Sequence, residues 1–194
     1  MQHILLVGNG LAPEQFQGQH YNHIIALDGG IEHCRRLQLR VDHWLGDGDS
    51  SQPTEQFDLQ PDQSSTDLDK GLQWIAQHLT EPYQVDLLAV TSSERLDHTL
   101  AAIEQLQRVP QLNWIITPSQ RLRLIRDQYT LATTVGDRIS LVSFGMGPAT
   151  VDIEGCQWSG TALSLEAVSG ISNRATATTV EVRVHSGMVI FIHG

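Results

Sequence analysis

Four short polar segments hold most of the side chains in this sequence that could bind a metal ion, an anion or a reacting hydroxyl. The sharpest is Gly46-Asp47-Gly48-Asp49-Ser50-Ser51. Two carboxylates one residue apart on a loop can both face a hard cation, which takes oxygen ligands and, as Mg²⁺, keeps several waters. A calcium loop would continue as a longer series of spaced acids closed by a Glu, and none follows; a solvated turn is the plain alternative. Asp28-Gly29-Gly30 stands before a helical pattern. Glycines there let the backbone approach a ligand, and a helix start offers free N–H groups to an anion, although Asp-Gly-Gly also builds ordinary turns. Asp62-Gln63-Ser64-Ser65-Thr66-Asp67-Leu68-Asp69-Lys70 opens another helix. Acids in a first turn often only match the helix dipole. Lys70, however, is the only lysine in the chain, and one flexible ammonium near a helix start suits a phosphate oxygen as well as a solvated surface. The fourth segment, Thr91-Ser92-Ser93-Glu94, leads into Arg95-Leu96-Asp97-His98-Thr99. That Arg, Asp and His could bind phosphate, a metal or a substrate hydroxyl, or form an Arg–Asp cap. No G-x-S-x-G elbow is present, which disfavours a Ser–His–Asp hydrolase.

These segments need elements to position them. From residue 3 to about 117, short apolar runs at 3–8, 24–27, 41–45, 85–90 and 112–117 alternate with helical patterns at 31–39, 67–79 and 96–107. That alternation predicts a mostly parallel sheet with crossover helices. In the helix over 67–79, Leu68, Leu72, Ile75, Ala76 and Leu79 fall on one stripe, with Ser65 or Thr66 as N-cap. Ligands of such sheets sit beyond the carboxyl ends of the strands, so loops following consecutive strands would converge on one edge. After Pro118 the helical period disappears. Runs at 122–125, 138–144, 150–153, 162–165, 179–185 and 188–192, punctuated by glycines, predict an all-β segment, a small sandwich or roll. The expected division is 1–118 and 119–194.

Composition narrows the class. The 194 residues carry 22 acids and 12 bases, a formal charge of −10, with 40% hydrophobic and 18% charged residues, as in a compact soluble protein. Residues 1–100 hold 15 acids and 5 bases, whereas 101–194 hold 7 of each. A basic surface for nucleic acid or anionic lipid is therefore not expected. The opening apolar run is too short and too lightly charged for a signal peptide, and no stretch has the length of a membrane span. Cys34 and Cys156, far apart and without CxxC or CxxH spacing, read as reduced thiols of a cytoplasmic protein.

Together these residues resemble the thiamine pyrophosphokinase family. The resemblance rests on Asp28-Gly29-Gly30, on Gly46-Asp47-x-Asp49-Ser50, on Thr66-Asp67 with Lys70, and on Arg95-Leu96-Asp97-His98. It continues with Trp158 after Gly155 and then Ser172-Asn173. It implies an N-terminal Rossmann-like domain binding ATP and metal, a C-terminal β domain binding thiamine, and a homodimer with active sites between subunits. The implied reaction moves the β,γ-diphosphate of ATP onto the thiamine hydroxyl and releases AMP. Asp47, Asp49 and Asp67 would hold Mg²⁺. Asp28, Gly29, Gly30, Ser50, Thr66 and His98 would surround the nucleotide, while Arg95 and Lys70 would reach its phosphates. Asp97 would orient the hydroxyl or accept its proton. Trp158 would stack on the cationic thiamine ring, which suits an aromatic face, and Ser172 and Asn173 would hydrogen-bond the substrate. The sequence makes two departures from the family pattern: Ser64 stands where an Asp is usual, and Ser93-Glu94 where Gly-Gly is usual. The same residues admit a diphosphokinase acting on another hydroxymethyl heterocycle such as a pterin, a non-catalytic nucleotide- or thiamine-binding homologue, or a metal-dependent phosphohydrolase.

Overall fold

The structure, a computed structural model, describes residues 1–46, 57–59, 64–80 and 82–194. It divides into two compact units, Met1–Ser119 and Gln120–Gly194.

In the first unit the strands are β1 (Gln2–Val7), β2 (His23–Leu27), β3 (His43–Gly46), β4 (Phe57–Leu59), β5 (Tyr83–Leu88) and β6 (Leu112–Ile116). They lie in the order β6-β5-β1-β2-β3-β4, and every neighbouring pair is parallel. The helices α1 (Gly30–Arg36), α2 (Asp67–His78) and α3 (Leu96–Arg108) fall between β2 and β3, β4 and β5, and β5 and β6. Ile4, Leu5, Leu6 and Val7 are fully buried. A central parallel strand covered on both faces reads as an unbroken apolar run, and each such side chain contributes roughly 1.5–3 kcal/mol by leaving water. The chain leaves β1 to one side for β2, β3 and β4, and β5 returns to the other. The order reverses between β1 and β5, which opens a crevice at their carboxyl ends.

Helix boundaries follow from local chemistry. The pattern that predicted a helix over 31–39 ends at Arg36, because Gln38 takes a left-handed φ of 55°. The Leu39 N–H then bonds the Cys34 carbonyl at 2.9 Å and the Gln38 N–H bonds Arg35 at 3.2 Å, closing a Schellman turn without its usual glycine. Thr66 is the N-cap of α2 in a reciprocal capping box with Asp69. β5 stops two residues short of the predicted run, since Ala89 turns left-handed at φ 57°.

The second unit consists of antiparallel strands. β12 (Asn173–Arg174), β9 (Arg138–Ser143), β14 (Val189–His193) and β7 (Arg121–Ile125) are neighbours in that order. A separate sheet has the order β11 (Gly160–Ser164), β10 (Thr150–Glu154), β13 (Thr179–Ser186), β8 (Gln128–Ala132). Buried Ile139, Leu141, Val151, Ile153, Val180, Val182 and Phe191 form the core, and Tyr129 of β8 meets Phe191 of β14 edge-on. β8 escapes the sequence pattern because only Leu131 of its five residues is buried. Cys34 and Cys156 are free and buried, and burial pushes their thiols up to about 12 and about 11. No helix among the described residues is long and apolar enough to cross a membrane.

Candidate active site

A cleft of about 360 Å³ opens at the switch point of the parallel sheet. Its floor is built by Gly8-Asn9-Gly10 after β1 and Ala89-Val90 after β5. The Gly8 N–H bonds the Leu88 carbonyl at 2.8 Å and the Gly10 N–H bonds Ala89 at 2.6 Å, so these two loops prolong the pairing beyond the strands. A β-carbon at Gly10 would lie 2.3 Å from the Thr91 carbonyl oxygen. This floor has no charged residue, and the sequence shows only what resembles a plain turn.

Asp28, Thr66, Asp67, Arg95 and His98 line the same cleft. Asp28 is buried and sits at φ 42°, a conformation sparsely used by residues with a β-carbon. Its N–H bonds the Leu45 carbonyl at 2.6 Å, and its own carbonyl accepts the Trp44 indole N–H at 2.8 Å. The end of β3 thus fixes Asp28 from both sides, and Gly46 is needed there, since a β-carbon would come within 2.8 Å of the Asp28 side chain. Gly30 permits the adjoining approach of α1, because its β-carbon would meet the Val7 carbonyl oxygen at 2.1 Å.

At the start of α2, the Lys70 ammonium lies 3.1 Å from Asp67 Oδ1, with the lysine almost wholly buried. Asp69, which sequence reasoning did not single out, accepts from the Thr66 N–H at 3.1 Å and from the buried amide of Gln105 at 2.8 Å. Gln105 also lines the cleft. A polar residue in the middle of a helix gives no sign in sequence that it is turned inward to brace another helix.

Before α3, the Ser92 hydroxyl accepts the N–H groups of Glu94 and Arg95, each at 3.1 Å. The Thr99 hydroxyl accepts the Ser92 N–H at 3.0 Å. The Ser92 and Thr99 hydroxyls shape this loop, and the Glu94 side chain is exposed. Arg95 grips Asp97 with two bonds, 3.2 and 2.9 Å long. It also lies 2.6 Å from His98 Nε2. A guanidinium only donates, so in this contact the ring nitrogen is the acceptor. The bond from Arg95 holds the Asp97 carboxyl down at about 2.

In the second unit, Trp158 is 56% exposed. Ser172 is exposed at φ 61°, its N–H bonded to the Ser140 hydroxyl at 2.9 Å. Asn173 is only 5% exposed. Its side chain is bonded to the backbone of Trp158 and Arg174.

Asp47, Asp49, Ser50 and Asp62 lie outside the described residues. Among the described residues no group of three or more His, Cys, Asp or Glu could by itself hold a metal ion. The donors that do face the cleft, Asp28 and Asp67, are oxygen ligands of the kind a hard divalent cation takes. Among the described residues the fit to Mg²⁺ is thus one of donor type alone.

A sequence profile of the thiamin pyrophosphokinase catalytic domain matches residues 18–116. No curated protein matches the chain. Among solved structures, thiamin pyrophosphokinase from Geobacillus thermodenitrificans superposes with a TM-score of 0.83 at 20% identity, over 100% of this chain and 97% of that one. Thiamine pyrophosphokinase from Bacillus subtilis gives 0.80 at 18%, covering 100% and 99%. The Candida albicans enzyme gives 0.82 at 15%, covering 99% and 88%. Identities this low show a common fold. The catalytic-domain match spans more than half of the chain and ends where β6 ends, and the chain belongs to the thiamine pyrophosphokinase family.

Proposed function

We propose that this protein is a Mg²⁺-dependent thiamine diphosphokinase, with a Rossmann-like first unit that binds ATP and metal and a second unit that receives thiamine. The observation that carries the reading is the convergence of Asp28, Asp67, Arg95 and His98 on one cleft at the switch point of the sheet, in a chain of this family. Membership implies a diphosphotransferase with ATP and thiamine as substrates. In the reaction the thiamine hydroxyl oxygen bonds to the β-phosphorus of ATP. The bond between that phosphorus and the α,β-bridging oxygen breaks, AMP leaves with the electron pair, and the hydroxyl proton passes to solvent.

Asp67, with the Asp47 and Asp49 that the family resemblance implies, would hold Mg²⁺, which when bound would offset charge on the triphosphate oxygens. Arg95 presents its remaining N–H groups to the phosphates while Asp97 and His98 fix its plane. Lys70 supplies positive charge beside Asp67. Asp97, held at about 2, is a weak base at neutral pH, and its role is to orient the acceptor hydroxyl. Little general-base help is required when the transition state is loose. Trp158 offers its exposed ring to the thiamine cation, and a homodimer completes the reading.

The test is acceptor choice. The protein is incubated with ATP and Mg²⁺ and offered thiamine or a hydroxymethylpterin in separate reactions, and the products are separated by chromatography. Thiamine diphosphate in the first reaction with no pterin diphosphate in the second supports the assignment; the reverse pattern overturns it.

A further inference from the structure

Trp158 stands on a turn whose shape is set by a buried amide. The Asn173 side-chain oxygen accepts the N–H of Trp158 at 3.0 Å and the N–H of Arg174 at 2.9 Å. Its side-chain nitrogen donates to the Trp158 carbonyl at 2.8 Å. One amide thus holds both backbone groups of the same tryptophan. Around this clasp, the Ser159 hydroxyl accepts the Cys156 N–H at 3.1 Å and donates to the Cys156 carbonyl at 2.7 Å. The Gln157 N–H bonds the Arg174 carbonyl at 2.8 Å, and Thr176 N–H bonds Gly155 at 2.8 Å. Asn173 itself belongs to β12, which pairs with β9. The turn is held by these bonds and anchored to β12 through Asn173 and Arg174, yet the indole it carries is more than half exposed. A large aromatic ring exposed on so constrained a backbone is available for contact with a ligand.

We propose that Asn173 is a positioning residue that aims the Trp158 ring at the acceptor's flat cationic ring system, and that it does not itself touch the acceptor. This rests on the reading of Trp158 as the thiamine platform. It replaces the expectation that Asn173 hydrogen-bonds the substrate: both acceptor positions of its oxygen are used by backbone N–H groups, and it is buried. Ser172, exposed in the same segment, is left as the member of the pair placed to meet a ligand.

The experiment compares the full-length Trp158→Ala, Asn173→Ala, Asn173→Asp and Trp158→Ala/Asn173→Ala variants with the wild type. It measures thiamine affinity by calorimetry, KM and kcat for each substrate, and exchange of the Trp158 amide hydrogen. Asn173→Ala should raise the KM and Kd for thiamine by about tenfold, as expected for losing the two hydrogen bonds that aim the ring. KM for ATP should stay unchanged, kcat should move by less than about twofold, and Trp158 amide exchange should accelerate. Asn173→Asp keeps the accepting oxygen, loses the donated bond, and should give an intermediate loss of affinity; it carries the test if the alanine variant does not fold. In the Trp158→Ala background the Asn173→Ala change should weaken thiamine binding no further. Additive losses would mean direct contact and overturn the proposal. So would faster amide exchange with thiamine affinity unchanged while Trp158→Ala alone weakens binding. If Trp158→Ala leaves thiamine affinity as in the wild type, the platform reading fails and the proposal falls with it.

Discussion

Arg95, which lines the cleft, and its partner Asp97 are both exposed to water, where an isolated ion pair is worth little for stability. Their value is geometric: two bonds fix the guanidinium plane. The pairing also sets a pH signature. A carboxyl with a lowered folded value contributes stability above its ordinary value of 3.8, and that contribution is lost as pH falls through about 2. The acid limb of any activity profile above pH 4 should therefore not come from Asp97. A carbon-detected titration should place its midpoint near 2, and Arg95→Gln should return it toward 3.8. Because Arg95 is read as a phosphate contact, the same variant should lower kcat by about 100-fold or more. Asp28 presents the opposite case, a carboxylate fixed by backbone geometry. Its type was legible in the sequence, whereas its left-handed φ and its clasp by Trp44 and Leu45 were not, since neither partner is near it in the chain.

At the scale of elements, α2 and the loop after β1 decide whether the cleft exists. Thr66→Ala removes one half of the capping box and should cost about 1 kcal/mol, lowering Tm by about 2–4 °C. Asp69→Ala should cost more, because it also strands the buried Gln105 amide. Gly30→Ala forces a β-carbon against the Val7 carbonyl and should cost at least about 2 kcal/mol, readable in urea titrations. The parallel half was legible because apolar runs and helical stripes alternate strongly there. The floor of the cleft was hidden, since Gly8-Asn9-Gly10 carries no chemistry of its own and matters only because β5 lies beside β1. β8 and the two-residue β12 were hidden for a related reason: mostly exposed or very short strands leave no period to read.

For the molecule as a whole, the acidic first half and the neutral second half fit a division between a metal-bound anionic nucleotide and a flat cationic acceptor. A bound divalent cation would reverse the local sign of the carboxylates for the nucleotide. Chelation with EDTA should then abolish turnover, excess Mg²⁺ should restore it, and the circular dichroism spectrum should not change. Asp49→Asn should likewise abolish turnover and leave the fold intact; near wild-type activity in that variant would refute its assignment to the metal. The central claim concerns which bond of ATP is broken, and ³¹P NMR follows that directly. With ATP, Mg²⁺ and thiamine, the account predicts AMP and thiamine diphosphate accumulating in equal amounts with no ADP. Formation of ADP with thiamine monophosphate, release of free phosphate, or unchanged ATP beside bound thiamine would contradict it.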